Sequence, residues 1–234
     1  MKNSLKFLSI LSVFVSFEAA LASVNTAPVN SLQGKFTKSG ALTASEKDFL
    51  LDLEKTDVIL LGEEHPNSDH HEYQKKIIQF LRSKYGKVDV GFELAPKKYQ
   101  NVFDKVMSSK VKVGDIKKLI NWDKTWGFDF NLYKPLFEEG LKGGGKLIAL
   151  DASRQLTRRL NRVGLSNLDP EYKKVLPSKL VGDDLQFKNW FLSKLKALHG
   201  GKSYPHFENM YESWVVRNST MAEQVFKFRR KRVP

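Results

Sequence analysis

The sequence predicts an α/β fold, a mainly parallel sheet flanked by helices, with a small helical subdomain. Three observations carry this. Val58-Ile59-Leu60-Leu61 is a continuous apolar run stopped by Gly62, the pattern of a strand buried on both faces. Further strands are read at Val88 to Leu94 and Lys146 to Leu150, with a helix-period segment between the first two, the layout of a crossover in a parallel sheet. From Ala152 to Lys202 the chain then turns helical and basic without another good strand. The composition agrees: 234 residues, 41% hydrophobic and 28% charged, enough for one sizeable core, too apolar for disorder and too broken by charge for a membrane bundle.

Along the chain, Lys2 and Lys6, the apolar run Phe7 to Phe17 and the small residues of Ala20-Leu21-Ala22 read as a secretory leader cleaved after Ala22. Residues 23–42 form an arm rich in Ser, Thr and Asn. Thr43 to Lys55 reads as a helix, with Thr43 capping, Glu46 in capping-box position and a stripe of Phe49, Leu50 and Leu53. After the first strand, Ser68 opens a helix carrying Tyr73, Ile77, Phe80 and Leu81 that stops near Gly86. Residues 97–141 carry helical segments, with Trp122, Trp126, Phe128, Phe130, Tyr133 and Phe137 packed into a short stretch before the turn Gly143-Gly144-Gly145. A last long helix begins near Pro205. The organisation is therefore a leader at 1–22, an arm at 23–42, an α/β core at 43–151, a helical subdomain at 152–204 and a C-terminal helix at 205–234 returning to the core.

No cysteine is present, which removes disulfides, thiolate zinc sites, iron–sulfur clusters, covalent haem attachment and cysteine nucleophiles together. A net charge of +13 points to anionic partners, and an exported chain turns that toward small anionic ligands or membrane surfaces rather than nucleic acid.

In a parallel sheet, ligands bind beyond the carboxyl ends of the strands. The first strand ends in Gly62-Glu63-Glu64-His65, the second in Glu93, the third in Asp151 followed by Arg154. His70 and His71 follow closely, so three of the five histidines lie within seven residues beside these carboxylates. Two chemistries fit. Glu63, His65, His71 and Glu93 would suit a divalent metal that activates water for hydrolysis. Alternatively, a His or Tyr ligates a noncovalent haem iron, with apolar walls and cations for the propionates. The helical half supplies Tyr204, His206 and Tyr211 as ligands, Phe207, Met210 and Trp214 as walls, and Arg154, Arg158 and Arg162 on one helix face. No phosphate-binding loop or serine nucleophile elbow is present; Gly143-Gly144-Gly145 precedes a strand rather than following one.

Several ordered motifs carry a family resemblance: Ile59-Leu60-Leu61-Gly62-Glu63-Glu64-His65 with the His70-His71 pair, Val90-Gly91-Phe92-Glu93, Trp126-Gly127-Phe128 to Tyr133-Lys134-Pro135-Leu136, Leu147 to Arg154, and Tyr211 to Glu223. Over about residues 45–226 the chain resembles the ChaN-like haem-binding, iron-regulated lipoproteins, within a superfamily that includes erythromycin esterase. The resemblance implies a haem-binding protein of iron acquisition, with b-type haem at the carboxyl ends of the strands, and a binding role rather than catalysis. Tyr211 is the expected axial ligand, His65 the opposing or hydrogen-bonding group and Tyr204 the alternative ligand; Glu63, Arg154, Arg158 and Trp214 complete the expected site. Haem-linked homodimerisation and membrane haem-transport partners are further expectations. The family commonly carries a lipobox cysteine and continues past the last helix. This chain lacks the cysteine and stops at Pro234, so a soluble periplasmic form, truncated at its C-terminus, is expected. The Gly-Glu-x-His motif keeps a metal-dependent hydrolase as the alternative.

Overall fold

A computed structural model describes residues 6–10, 57–182 and 184–228. It is an α/β fold built on a four-stranded sheet in the order β2-β1-β3-β4, with β1 Lys6–Ile10, β2 Val58–Leu60, β3 Val88–Pro96 and β4 Leu147–Asp151. The strand-helix-strand unit is present, but β2 and β3 are not neighbours. The backbone of Lys6–Ile10, assigned to a leader from sequence, lies between them and pairs parallel to both, with Phe7 opposite Val58 and Asp89. An apolar run written for a leader has the same composition as a strand buried on both faces, and the two cannot be told apart by pattern. The arm and the helix expected at 43–55 lie outside the described residues.

The remaining elements are α1 Ser68–Tyr85, α2 Gln100–Met107, α3 Ile116–Leu119, α4 Trp122–Thr125, α5 Phe130–Leu141, α6 Arg154–Val163, α7 Pro170–Lys173, α8 Leu185–Leu198 and α9 His206–Phe228. The cap of α1 is Asn67 rather than Ser68, its side chain accepting from the amides of Asp69 and His70. Among the described residues, no helix is long and apolar enough to cross a membrane.

The chain divides into two compact units. Among the described residues, the first comprises residues 6–10, 57–93 and Asn101–Ile148, and the second comprises Leu94–Gln100, 149–182 and 184–228. In the first, Phe92, Phe103 and Phe137 form a buried aromatic core, Phe92 stacking on Phe137 with ring centroids 4.3 Å apart. The turn before β4 needs its glycines. Gly143 and Gly144 have φ of 82° and 74°, and a Cβ on Gly145 would collide with the carbonyl of Val88. In the second unit, α6 and α9 pack through Leu156, Leu160, Leu168 and Val216, with Ala152 at the base.

One ion-pair cluster ties α1 to α5. The Glu139 carboxylate, 5% exposed, accepts from Arg82 at 2.5 Å and from Lys142 at 2.6 Å. Burial alone would raise its pKa, but the bonds from Lys142, Arg82 and Gln79 outweigh that and depress it to about 2. Its contribution is therefore complete above the unfolded value of 4.5 and is lost as the pH falls toward about 2. Arg82 and Lys142 remain partly open to water, so the expected contribution is about 1–2 kcal/mol. Urea midpoints measured between neutral and acid pH should fall more steeply in the parent chain than in Glu139→Gln. Parallel acid profiles would refute this account.

Candidate functional site

In the first unit the sequence motif closes on one carboxylate. Glu63 follows β2, and its side chain is 1% exposed. Tyr133 on α5 donates its hydroxyl to Oε1 at 2.7 Å, and Nδ1 of His65 lies 3.0 Å from the same oxygen. Gln74 on α1 donates to Oε2 at 3.1 Å, and Nδ1 of His71 stands 3.3 Å from it. An ionised carboxylate only accepts, so the proton of the His65 contact sits on Nδ1. The carbonyl of His65 accepts in turn from Nε2 of His71 at 2.9 Å. Burial pushes the Glu63 carboxyl up, yet the bond from His65, the charge of His71 and the bonds from Tyr133 and Gln74 leave it below its ordinary value. Burial, then the charge of Glu63 and the bond to it, push the Tyr133 phenol up, so it stays a donor. His65 packs between Trp126 and Phe128, each ring centroid 4.6 Å away, and His71 lies against Tyr133.

His65 and His71 thus meet Glu63 as expected, but His70 does not. Its Nδ1 accepts from the amide of Glu64 at 2.9 Å and braces the loop. Glu93 is buried, and its charge acts on the Tyr133 phenol. For the divalent-metal alternative at Glu63, His65, His71 and Glu93, the structure brings both histidines to Glu63 and does not group the four as a ligand set. Among the described residues, no three His, Asp or Glu side chains are arranged to hold a metal ion. The physical reason is that Glu63 turns its oxygens to hydrogen-bond donors, a hub that orients two imidazoles.

In the second unit, Asp151 closes β4 and forms a bidentate pair with Arg217 of α9. Nε lies 3.1 Å from both oxygens and Nη2 2.6 Å from Oδ2. Arg217, not Tyr211, is the α9 residue that reaches this strand end. Arg154, Arg158 and Arg162 line the exposed side of α6, while Arg159 between them pairs with Asp169.

Tyr211 is buried, and its hydroxyl donates to the carbonyl of Gly182 at 2.8 Å. Its ring belongs to an aromatic shelf between α8 and α9. Trp214 stacks on Phe187 with centroids 4.5 Å apart and stacks again with Tyr211 at 6.0 Å. Phe191 meets Tyr211 edge-on at 5.7 Å. Trp190, 39% exposed, extends the shelf toward water beside Phe187. Lys188 and Lys194 lie over the rings of Tyr211 and Trp190. Sequence reasoning found Tyr211 and Trp214 but missed Phe187, Trp190 and Phe191. The signal was available as aromatic residues three and four apart in a segment read only as helical and basic. Tyr204 lies in a separate cluster, with its ring near those of His199, His206 and Phe207. Met210 is half-buried.

A family model described as haem-binding uptake, Tiki superfamily, ChaN matches residues 49–233. Among solved structures, ChaN of Campylobacter jejuni, described as binding haem cofacially, shares the fold with a TM-score of 0.61 and 22% identity, over 79% of this chain and 71% of that one. No curated protein matches the sequence. With a family match over most of its length and that fold beneath it, the chain belongs to the ChaN family of haem-binding uptake proteins in the Tiki superfamily.

Proposed function

We propose that this protein binds b-type haem noncovalently on the aromatic shelf of its helical unit and serves iron acquisition without catalysing a reaction. The observation that carries this reading is the shelf itself. Phe187, Trp190, Phe191 and Trp214 present ring surface suited to a flat macrocycle, with a phenol and lysine side chains in the same cluster. Tyr211 supplies the phenolate to ferric iron, which requires it to give up its bond to Gly182. Arg154 and Arg158, exposed on α6 of the same unit, are the proposed propionate partners. Open haem surface drives a homodimer when loaded, and a membrane transport component receives the haem. Hemin titration followed by visible absorption tests the reading. A saturable Soret change supports it, and an unsaturable, linear response overturns it.

Export through the leader, to the periplasm, belongs to the same proposal. Cleavage after Ala22 would carry β1 away with the leader. The intact mass of the protein recovered from the periplasm is expected to begin at Ser23. A mass retaining the first 22 residues would count against export by cleavage.

A further inference from the structure

We propose that His199, Tyr204 and His206 form a surface site for a divalent late transition-metal ion, with Cu2+ bound most tightly. The proposal does not rest on the haem reading. These two histidines stand apart from the other three of the five in the chain, which lie in and beside the Glu63 loop. The backbone brings them together: α8 ends at Leu198, and Gly200 and Gly201, with φ of 63° and 80°, reverse the chain before α9 starts at His206. The ring centroid of Tyr204 lies 5.9 Å from that of His199 and 5.6 Å from that of His206, on which it stacks. Phe207, 2% exposed, forms the floor, its centroid 5.0 Å from His199, 5.2 Å from His206 and 5.4 Å from Tyr204.

The tautomer of His199 follows from its partner. Nδ1 lies 2.8 Å from the carbonyl of Leu195, which can only accept, so Nδ1 carries the proton and Nε2 keeps its lone pair. A ring nitrogen fixed by a backbone carbonyl while the other stays a ligand is the usual outer-shell arrangement of metal-bound histidine. His206 and Tyr204 are exposed, so small rotations that complete the ligand set bury no polar group. Two imidazoles favour copper, nickel and zinc over the hard cations, a phenolate adds preference for copper, and Cu2+ leads the divalent series on such donors.

The test is Cu2+ titrated calorimetrically into the full chain, with electron paramagnetic resonance of the bound ion. One equivalent is expected, with nitrogen coupling from two imidazoles. His199→Gln and His206→Gln should each weaken binding by about tenfold or more, and Tyr204→Phe should remove the phenolate-to-copper absorption. Binding unchanged in the His199→Gln/His206→Gln double variant, or lost instead in His71→Gln, would overturn the site. Hemin titration of the double variant separates the two readings, since the shelf residues are intact and haem binding is expected to persist.

Discussion

Hemin titrated into Tyr211→Phe is expected to bind at least about tenfold more weakly than to the parent chain, with a shifted ferric spectrum and unchanged far-ultraviolet circular dichroism. The substitution keeps the ring, so its stacking with Trp214 and its edge contact with Phe191 survive. It removes the oxygen, and with it the bond to the Gly182 carbonyl, which costs about 1 kcal/mol of stability and leaves the fold intact. Trp190→Ala should weaken binding without moving the ferric spectrum, because it takes away stacking surface and no ligand atom. Arg154→Ala and Arg158→Ala should lower affinity in a salt-dependent way, as exposed cations do. If Tyr204→Phe instead shifts the spectrum while Tyr211→Phe leaves it unchanged, the exposed phenol is the ligand and the shelf is only a wall.

Local signals in the sequence were read well, and contacts between distant residues were not. Val88 to Leu94 was read as a strand and is β3, buried throughout even though it contains Asp89 and Glu93, and Gly86 announced the end of α1 because its φ of 80° is costly for other residues. The Asn67 cap was misplaced by one residue, since Asn and Ser stand side by side and both cap well. Glu63 and His65 were visible as a strand-end motif, but the bond from Tyr133 spans 70 positions and follows from how α5 packs. The strand role of Lys6–Ile10 was hidden because an apolar run reads equally as a leader or as a buried strand. The shelf escaped because aromatic spacing on one helix does not reveal which rings a second helix will bring against it.

The largest stability loss is expected from Arg217→Met, about 3–5 kcal/mol, because the Asp151 carboxylate, with its side chain 11% exposed, would be left without its counter-charge. Arg217 reaches Asp151 with both Nε and Nη2, so a single substitution removes every bond of the pair at once. It also removes one tie between Asp151 and α9, the helix carrying Tyr211 and Trp214, beside the packing of α9 on α6. Asp151→Asn should cost less, since the neutral amide can still accept from the guanidinium and from the amide of Ala152. Combining Asp151→Asn with Arg217→Met removes both charges, and the loss should be smaller than the sum of the two single losses, giving a coupling of about 1–3 kcal/mol in the double-mutant cycle. Urea unfolding followed by tryptophan fluorescence reads this through Trp190 and Trp214. Additive losses, or an Arg217→Met effect below about 1 kcal/mol, would mean that water solvates Asp151 well enough to replace its partner.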